Sequence, residues 1–165
     1  FPGSFEELVD SSDAIVIGNI GEIVNHEIDY GSGPEAEELI ELDKQTSAPL
    51  GIPVIDYEVV INEVLLDHTG TLQENGNLLF RIPGRPDANA QRREYIATGD
   101  IKLLFLTANP GGTFGVSSYM HMLSINSDRI TYYYEGQQRI PFDTKSSTQF
   151  LDRVRQVITI SSSMP

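Results

Sequence analysis

The chain contains no cysteine and no tryptophan. Without thiols there is no disulfide framework, no thiolate metal site and no cysteine nucleophile. Basic residues are scarce too, with 11 lysines and arginines against 24 aspartates and glutamates and a formal net charge of -13. A surface this acidic repels phosphate backbones and anionic lipid headgroups, which argues against nucleic acid and membrane surfaces as partners. No apolar run approaches the ~20 residues that a membrane-spanning helix requires. No charged n-region and apolar h-region open the chain, yet it starts at Phe1, and a start without methionine points to a segment removed upstream. The length of 165 residues fits one domain, 1–165, large enough to bury its own core.

What is present is mostly strand pattern. Ser4 and Glu7 have the spacing of a capping box and predict a short helix over about residues 5–11. The β-branched run "AIVIGNIGEIV" at 14–24 predicts a first strand, with Gly18 and Gly21 marking a bend, a bulge or a close backbone approach. Residues 29–52 are rich in glycine, proline and acid and read as an insertion, with a helical turn or two at Glu35–Leu42. Further strands are expected at about 54–66 and 77–83, the latter after the turn dipeptide Asn75-Gly76. "GRPDANAQRRE" at 84–94 has no apolar period and reads as an exposed loop, the core of a second insertion at about 84–98. "IKLLFLT" at 101–107 is apolar on both faces apart from Lys102, which predicts a central strand between the core and a helix. After the "NPGG" turn, "TFGVSSYMHMLSI" and "RITYYY" read as a final antiparallel pair. Phe150, Leu151, Val154, Val157 and Ile158 recur at helical spacing, so the chain closes on an amphipathic helix capped by Ser147 or Thr148.

Within "YEVVINEVLL", Tyr57, Val59 and Ile61 alternate on one face, and then the apolar phase jumps to Val64 and Leu66. A bulge between Ile61 and Val64 would keep all five on buried surface, leaving Glu58 and Glu63 outward. The expected fold is therefore mainly β: a small antiparallel barrel of five to six strands, with a short N-terminal helix and a C-terminal amphipathic helix.

The succession "SFEELVDSSDAIVIGNIGEI", "DYEVVINEVLL", "NLLFRIPG", "TGDIKLLFLT" and a closing helix with "FLDRV" resembles a group of uncharacterised bacterial domains. Those domains resemble in turn the OB-type, Greek-key barrels of the tissue-inhibitor-of-metalloproteinase and netrin-module superfamily. The resemblance covers nearly the whole chain and rests on apolar patterns and glycines. It implies an OB-type barrel and an exported, non-catalytic interaction module. The animal inhibitors chelate a protease zinc through an N-terminal cysteine that this chain lacks, so protease inhibition does not carry over.

Catalytic motifs are missing. "HEIDY" at 26–30 has Tyr30 where H-E-x-x-H needs a second histidine, and "GVSSY" at 115–119 lacks the second glycine of a nucleophile elbow. "GSG" at 31–33 has no lysine behind it to make a phosphate loop. Glu35, Glu37, Glu38, Glu41 and Asp43 supply oxygens of the kind calcium takes, but not in an EF-hand pattern. Tyr132 and Tyr134 share a strand face and offer a stacking platform, with Arg92 and Arg93 in the one compact basic spot. The expected function is a secreted or extracytoplasmic binding module for a protein or a cell-envelope component, without cofactor or metal. Its variable loops, at about 29–52 and 84–98, would carry specificity. A structural calcium module and a carboxylate-using hydrolase are the alternatives.

Overall fold

The computed structural model describes residues 5–31, 33–46, 50–84, 96, 101–116, 121–125, 130–134, 137–139 and 146–163. Among these the protein is mainly β, with eight strands and three helices. In chain order they are α1 (Phe5–Asp10), β1 (Ala14–Asp29), α2 (Pro34–Asp43), β2 (Ile52–Asp67), β3 (Asn77–Pro83), β4 (Ile101–Ala108), β5 (Phe114–Gly115), β6 (Met122–Ile125), β7 (Ile130–Tyr134), β8 (Gln137–Arg139) and α3 (Ser147–Ser163). The strands among the described residues outnumber the expected five to six, because the long segment after "NPGG" divides into β5 and β6 and a short β8 follows the tyrosines, while the helical turn or two expected at Glu35–Leu42 is the helix α2.

Hydrogen bonding runs β1–β2–β3–β5–β4 and returns from β4 to β1, while β6, β7 and β8 extend from β4. All pairings are antiparallel except β3 with β5, which is parallel at Phe80↔Phe114. The side chains turned into this ring, among them Val16, Ile20, Tyr57, Val59, Ile61, Phe80, Leu104 and Phe114, form one buried cluster. A second cluster lies on the other side of β1 and β4, where Ile15, Ile17, Leu103 and Phe105 meet Leu8 and Val9 of α1 and Phe150, Val154 and Val157 of α3. The continuous apolar runs of β1 and β4 are explained by this double burial. The expected central strand at 101–107 is borne out.

The apolar stripe of α3 packs as its spacing requires, but its cap is one residue earlier than expected. Ser146 Oγ accepts the Gln149 amide at 3.2 Å. At the other end of the chain, Asp13 ties the exit of α1 to the sheet: its amide donates to Leu106, its carbonyl accepts from His68 and its carboxylate accepts the Ala108 amide at 2.7 Å. Ser4, the expected cap of α1, lies outside the described residues.

β1 and β2 each run 16 residues, long enough to serve the ring and to continue past the last β1–β4 pairing, at Asn19, as a ribbon that β3 flanks along β2. Their register slips four times. Asn62 and Leu65 are extra residues in β2, and β1 carries extra residues opposite Glu58 and at Val24. The phase change between Ile61 and Val64 is therefore a bulge at Asn62, and Val64 packs on the inner cluster as expected. Leu66 is partly buried as well, but the second bulge, at Leu65, turns it to the outer cluster beside Ile15. Glu58 and Glu63 do face outward, but not alone. Glu58 accepts from Asn77 Nδ2 at 2.9 Å, and both Glu63 oxygens accept from Arg155 of α3, at 3.0 and 3.1 Å. Gly18 marks the close approach between β1 and β2, since a Cβ there would stand 2.6 Å from the Val60 carbonyl oxygen.

Candidate functional site

On the ribbon face turned away from the inner cluster, Asn25, Glu27 and Asp29 of β1 stand opposite Asp56, Val54 and Ile52 of β2. Asp56 and Val54 in turn stand opposite Arg81 and Pro83 of β3. Since alternate residues share a face, the three strands bring one polar row together. Its centre is Asp56, only 2% exposed. Arg81 meets it as a fork, Nε donating to Oδ1 at 2.7 Å and Nη2 to Oδ2 at 2.9 Å. Asn25 Nδ2 donates to the same Oδ2 at 3.1 Å. Arg81 Nη2 also donates to Glu27, and Nη1 lies 3.8 Å from Asp29 Oδ2.

These contacts outweigh burial in setting the charges. The hydrogen bonds from Arg81 hold the Asp56 carboxyl below its ordinary 3.8 even though burial pushes it up, and Asn25 adds to the lowering. Arg81 is driven further up from its already high value, first by the Asp56 hydrogen bond. Asp56 and Arg81 are thus both charged near neutral pH, and the carboxyl groups of Glu27 and Asp29 lie beside the same guanidinium.

Arg81 and Asp29 also border a cavity of about 590 Å³. Its walls are largely apolar, from Ile52, Val54, Pro83, Pro110 and Val116, with Thr107 and Asn109 at the β4–β5 turn. That turn is held by Asn109, whose amide donates to the Thr113 carbonyl at 2.8 Å and whose Nδ2 donates to Thr113 Oγ1 at 3.3 Å. At the opposite rim Asp29 Oδ1 accepts the Gly31 amide at 2.8 Å, and Gly31 adopts φ 85, a left-handed conformation that glycine takes without strain. An apolar hollow of this size with a few convergent polar groups is the usual form of a small-ligand or side-chain pocket. A second hollow of about 550 Å³ lies beside Glu58, Leu72 and Leu79, with fewer polar groups facing it.

α2 buries none of its residues. It is tied down by Asp43, which accepts from the Tyr30 hydroxyl and from the Leu50 amide. The hydrogen bond to Asp43 raises the Tyr30 phenol above its usual 10.0. Glu35, Glu37, Glu38 and Glu41 are exposed on this helix, and Glu41 pairs with Lys44 at 2.9 Å. Among the described residues no three His, Cys, Asp or Glu side chains converge as metal ligands.

The backbones of Tyr132 and Tyr134 are in β7, opposite Arg139 and Gln137 of β8, and Arg92 and Arg93 lie outside the described residues, as does most of 84–98. The insertion expected at 29–52 does contribute, since Asp29 and Ile52 border the cavity. Arg81 and Asp56 were missed. Each sits between apolar neighbours, in "FRI" and "IDY", and a charged residue flanked by two core positions is the signal that could have singled them out. The "HEIDY" stretch supplies Glu27 and Asp29, as ion-pair partners rather than as metal ligands.

One buried amine stands apart from this site. Lys102 is fully buried, and its Nζ donates to Ser124 Oγ of β6 at 2.5 Å. Both side chains are closed off from solvent, and their hydrogen bond joins β4 to β6. Comparison with known proteins adds no neighbour: no protein-family model, curated protein or solved structure matches the chain.

Proposed function

We propose that the protein is a non-catalytic, extracytoplasmic binding module built on an OB-type barrel, and that it holds a protein or cell-envelope partner in the cavity beside Arg81. The closed order β1–β2–β3–β5–β4–β1, with β3 and β5 parallel, supports the barrel assignment, because an OB-type Greek key has five strands in a partly open ring. The resemblance of "DAIVIGNIGEI" and "GDIKLLFLT" to exported bacterial domains supports the compartment.

The observation that carries binding over catalysis is the state of the charged groups at the cavity. A general acid or base needs a proton affinity near the working pH and a free approach to substrate. Arg81 and Asp56 are displaced in opposite directions, away from neutrality, and their hydrogen-bonding positions face each other. What remains open to a visitor is apolar wall and carboxylate rim, which is equipment for holding.

The test uses the immobilised chain and its Ile52→Arg variant, which places a bulky cation at a residue 61% exposed on the cavity rim. A component of a cell-envelope extract should be retained by the parent and lost with the variant while the melting point stays the same. Equal retention by both, or retention only from a cytosolic extract, would contradict the proposal.

A further inference from the structure

We infer that the cavity accepts a lysine or arginine side chain presented by an extended, partly apolar segment of a partner protein. This rests on the binding function proposed above and names the chemistry of its occupant. Three carboxylates, Glu27, Asp29 and Asp56, surround the single guanidinium of Arg81, leaving a net negative charge. Asp56 is consumed by its fork, but the side chains of Glu27 and Asp29 are 49% and 41% exposed. Asp29 is the one that borders the cavity, and its Oδ2 reaches Arg81 only at 3.8 Å, beyond hydrogen-bonding distance. It therefore keeps an acceptor free for an incoming donor.

The walls fit the rest of such a side chain. Ile52, Val54 and Pro83 make an apolar floor leading to Asp29, matching the methylene stem of a lysine or arginine that ends in a charge. Anionic occupants are disfavoured because Arg81, the one cation bordering the cavity among the described residues, is already surrounded by acid. The long-range field has the same sign: the chain carries -13 overall, and Glu35, Glu37 and Glu38 follow within a few residues of the rim. A basic segment would be drawn in by the field and seated by the cavity. A cavity of about 590 Å³ leaves room for an apolar neighbour beside the cation.

The experiment titrates the isotope-labelled chain with three ten-residue peptides of alternating sequence, Val with Lys, Val with acetyl-lysine and Val with Glu, and with spermidine as a free cation. The lysine peptide should bind, shift the amides of Asp29, Ile52, Arg81 and Thr107, and weaken as salt is raised. Asp29→Asn, which retains an oxygen for the Gly31 amide, should lower its affinity about tenfold, as expected for loss of one partly desolvated charge pair. A triple Glu35→Gln, Glu37→Gln, Glu38→Gln variant should lower it far less. Equal losses from the two variants would reduce the effect to general acidity and overturn the inference. Tighter binding of the acetylated or acidic peptide at the same amides would overturn the cation while leaving a binding cavity in place. Spermidine binding as tightly as the peptide would overturn the protein partner, and a lysine peptide that leaves these four amides unshifted would overturn the occupant altogether.

Discussion

Removing Arg81 should cost far more stability than removing both members of its ion pair. In Arg81→Met the Asp56 carboxylate, 2% exposed, keeps only the Asn25 amide as a hydrogen-bond donor among its present side-chain partners. Stripping one partner from a buried pair costs about 3–5 kcal/mol. Because the Arg81 side chain is itself 17% exposed and two of its partners face water, the lower end, about 3 kcal/mol, applies. In Asp56→Leu the guanidinium retains Glu27 and can turn toward Asp29, so the loss should be nearer 2 kcal/mol, the scale of hydrogen bonds to charged groups. The double variant, Asp56→Leu with Arg81→Met, puts apolar volume where the fork was, and replacing a buried pair in that way is often close to neutral. Urea unfolding measures all four corners of the cycle. With a slope of about 2 kcal/mol per molar urea, Arg81→Met should lower the midpoint by about 1.5 M and the double variant by less than about 0.5 M. Losses that simply add would show that the pair is not coupled, and a shift below about 0.3 M for Arg81→Met would show that Asp56 does not depend on it.

Acid should weaken the fold through the same pair. Because Asp56 is held below its ordinary 3.8, the unfolded chain takes up that proton first as pH falls. The contribution is complete above about pH 5 and drains as pH drops through 3.8 toward the folded value. A pH series of urea midpoints should show this fall in the parent and a shallower one in the Asp56→Leu, Arg81→Met double variant. Gly18→Ala forces a methyl group to within 2.6 Å of the Val60 oxygen, so the two strands must part. The melting curve should register a loss of about 1–3 kcal/mol, the usual cost of overpacking. Arg155→Ala removes the Nη2 contact with both Glu63 oxygens, but with side chains 44% and 39% exposed the loss should stay below about 1 kcal/mol by the same melt.

Much of the frame is legible because burial writes itself into local pattern. "LLFL" at 103–106 has apolar residues on both faces, and both faces are covered, by the inner cluster and by the helices. The spacing of Phe150, Val154 and Val157 likewise states which side of α3 is covered and nearly where it starts. The candidate site has no such signature. Asp56 and Arg81 are 25 residues apart and meet only because β2 and β3 pair in one particular register. No period in either strand reveals that register, and a shift by one residue would place Asp56 opposite Phe80 or Ile82.

The ribbon shows how that register is reached. Ala14 pairs with Asp67 at one end and Asp29 with Ile52 at the other, the alignment of a hairpin with no bulges at all. Between them the two extra residues of β2 are cancelled by two extra residues of β1. Each bulge bends and twists its own strand, so the first pair, at Asn62 and Leu65, lets β2 curve where it closes against β1, and the second pair compensates where the strands leave the ring. Alternation therefore holds at both ends and breaks only between them, where Ile23 and Val64 turn inward out of step with their neighbours. The cancellation has a consequence for the site. With only one of the β1 bulges, Asn25, Glu27 and Asp29 would turn to the opposite face and leave Asp56 and Arg81 without them. Both are present, so the odd-numbered residues of β1 return to the outer face, and the acidic end of β1 lies along the cavity that Arg81 borders.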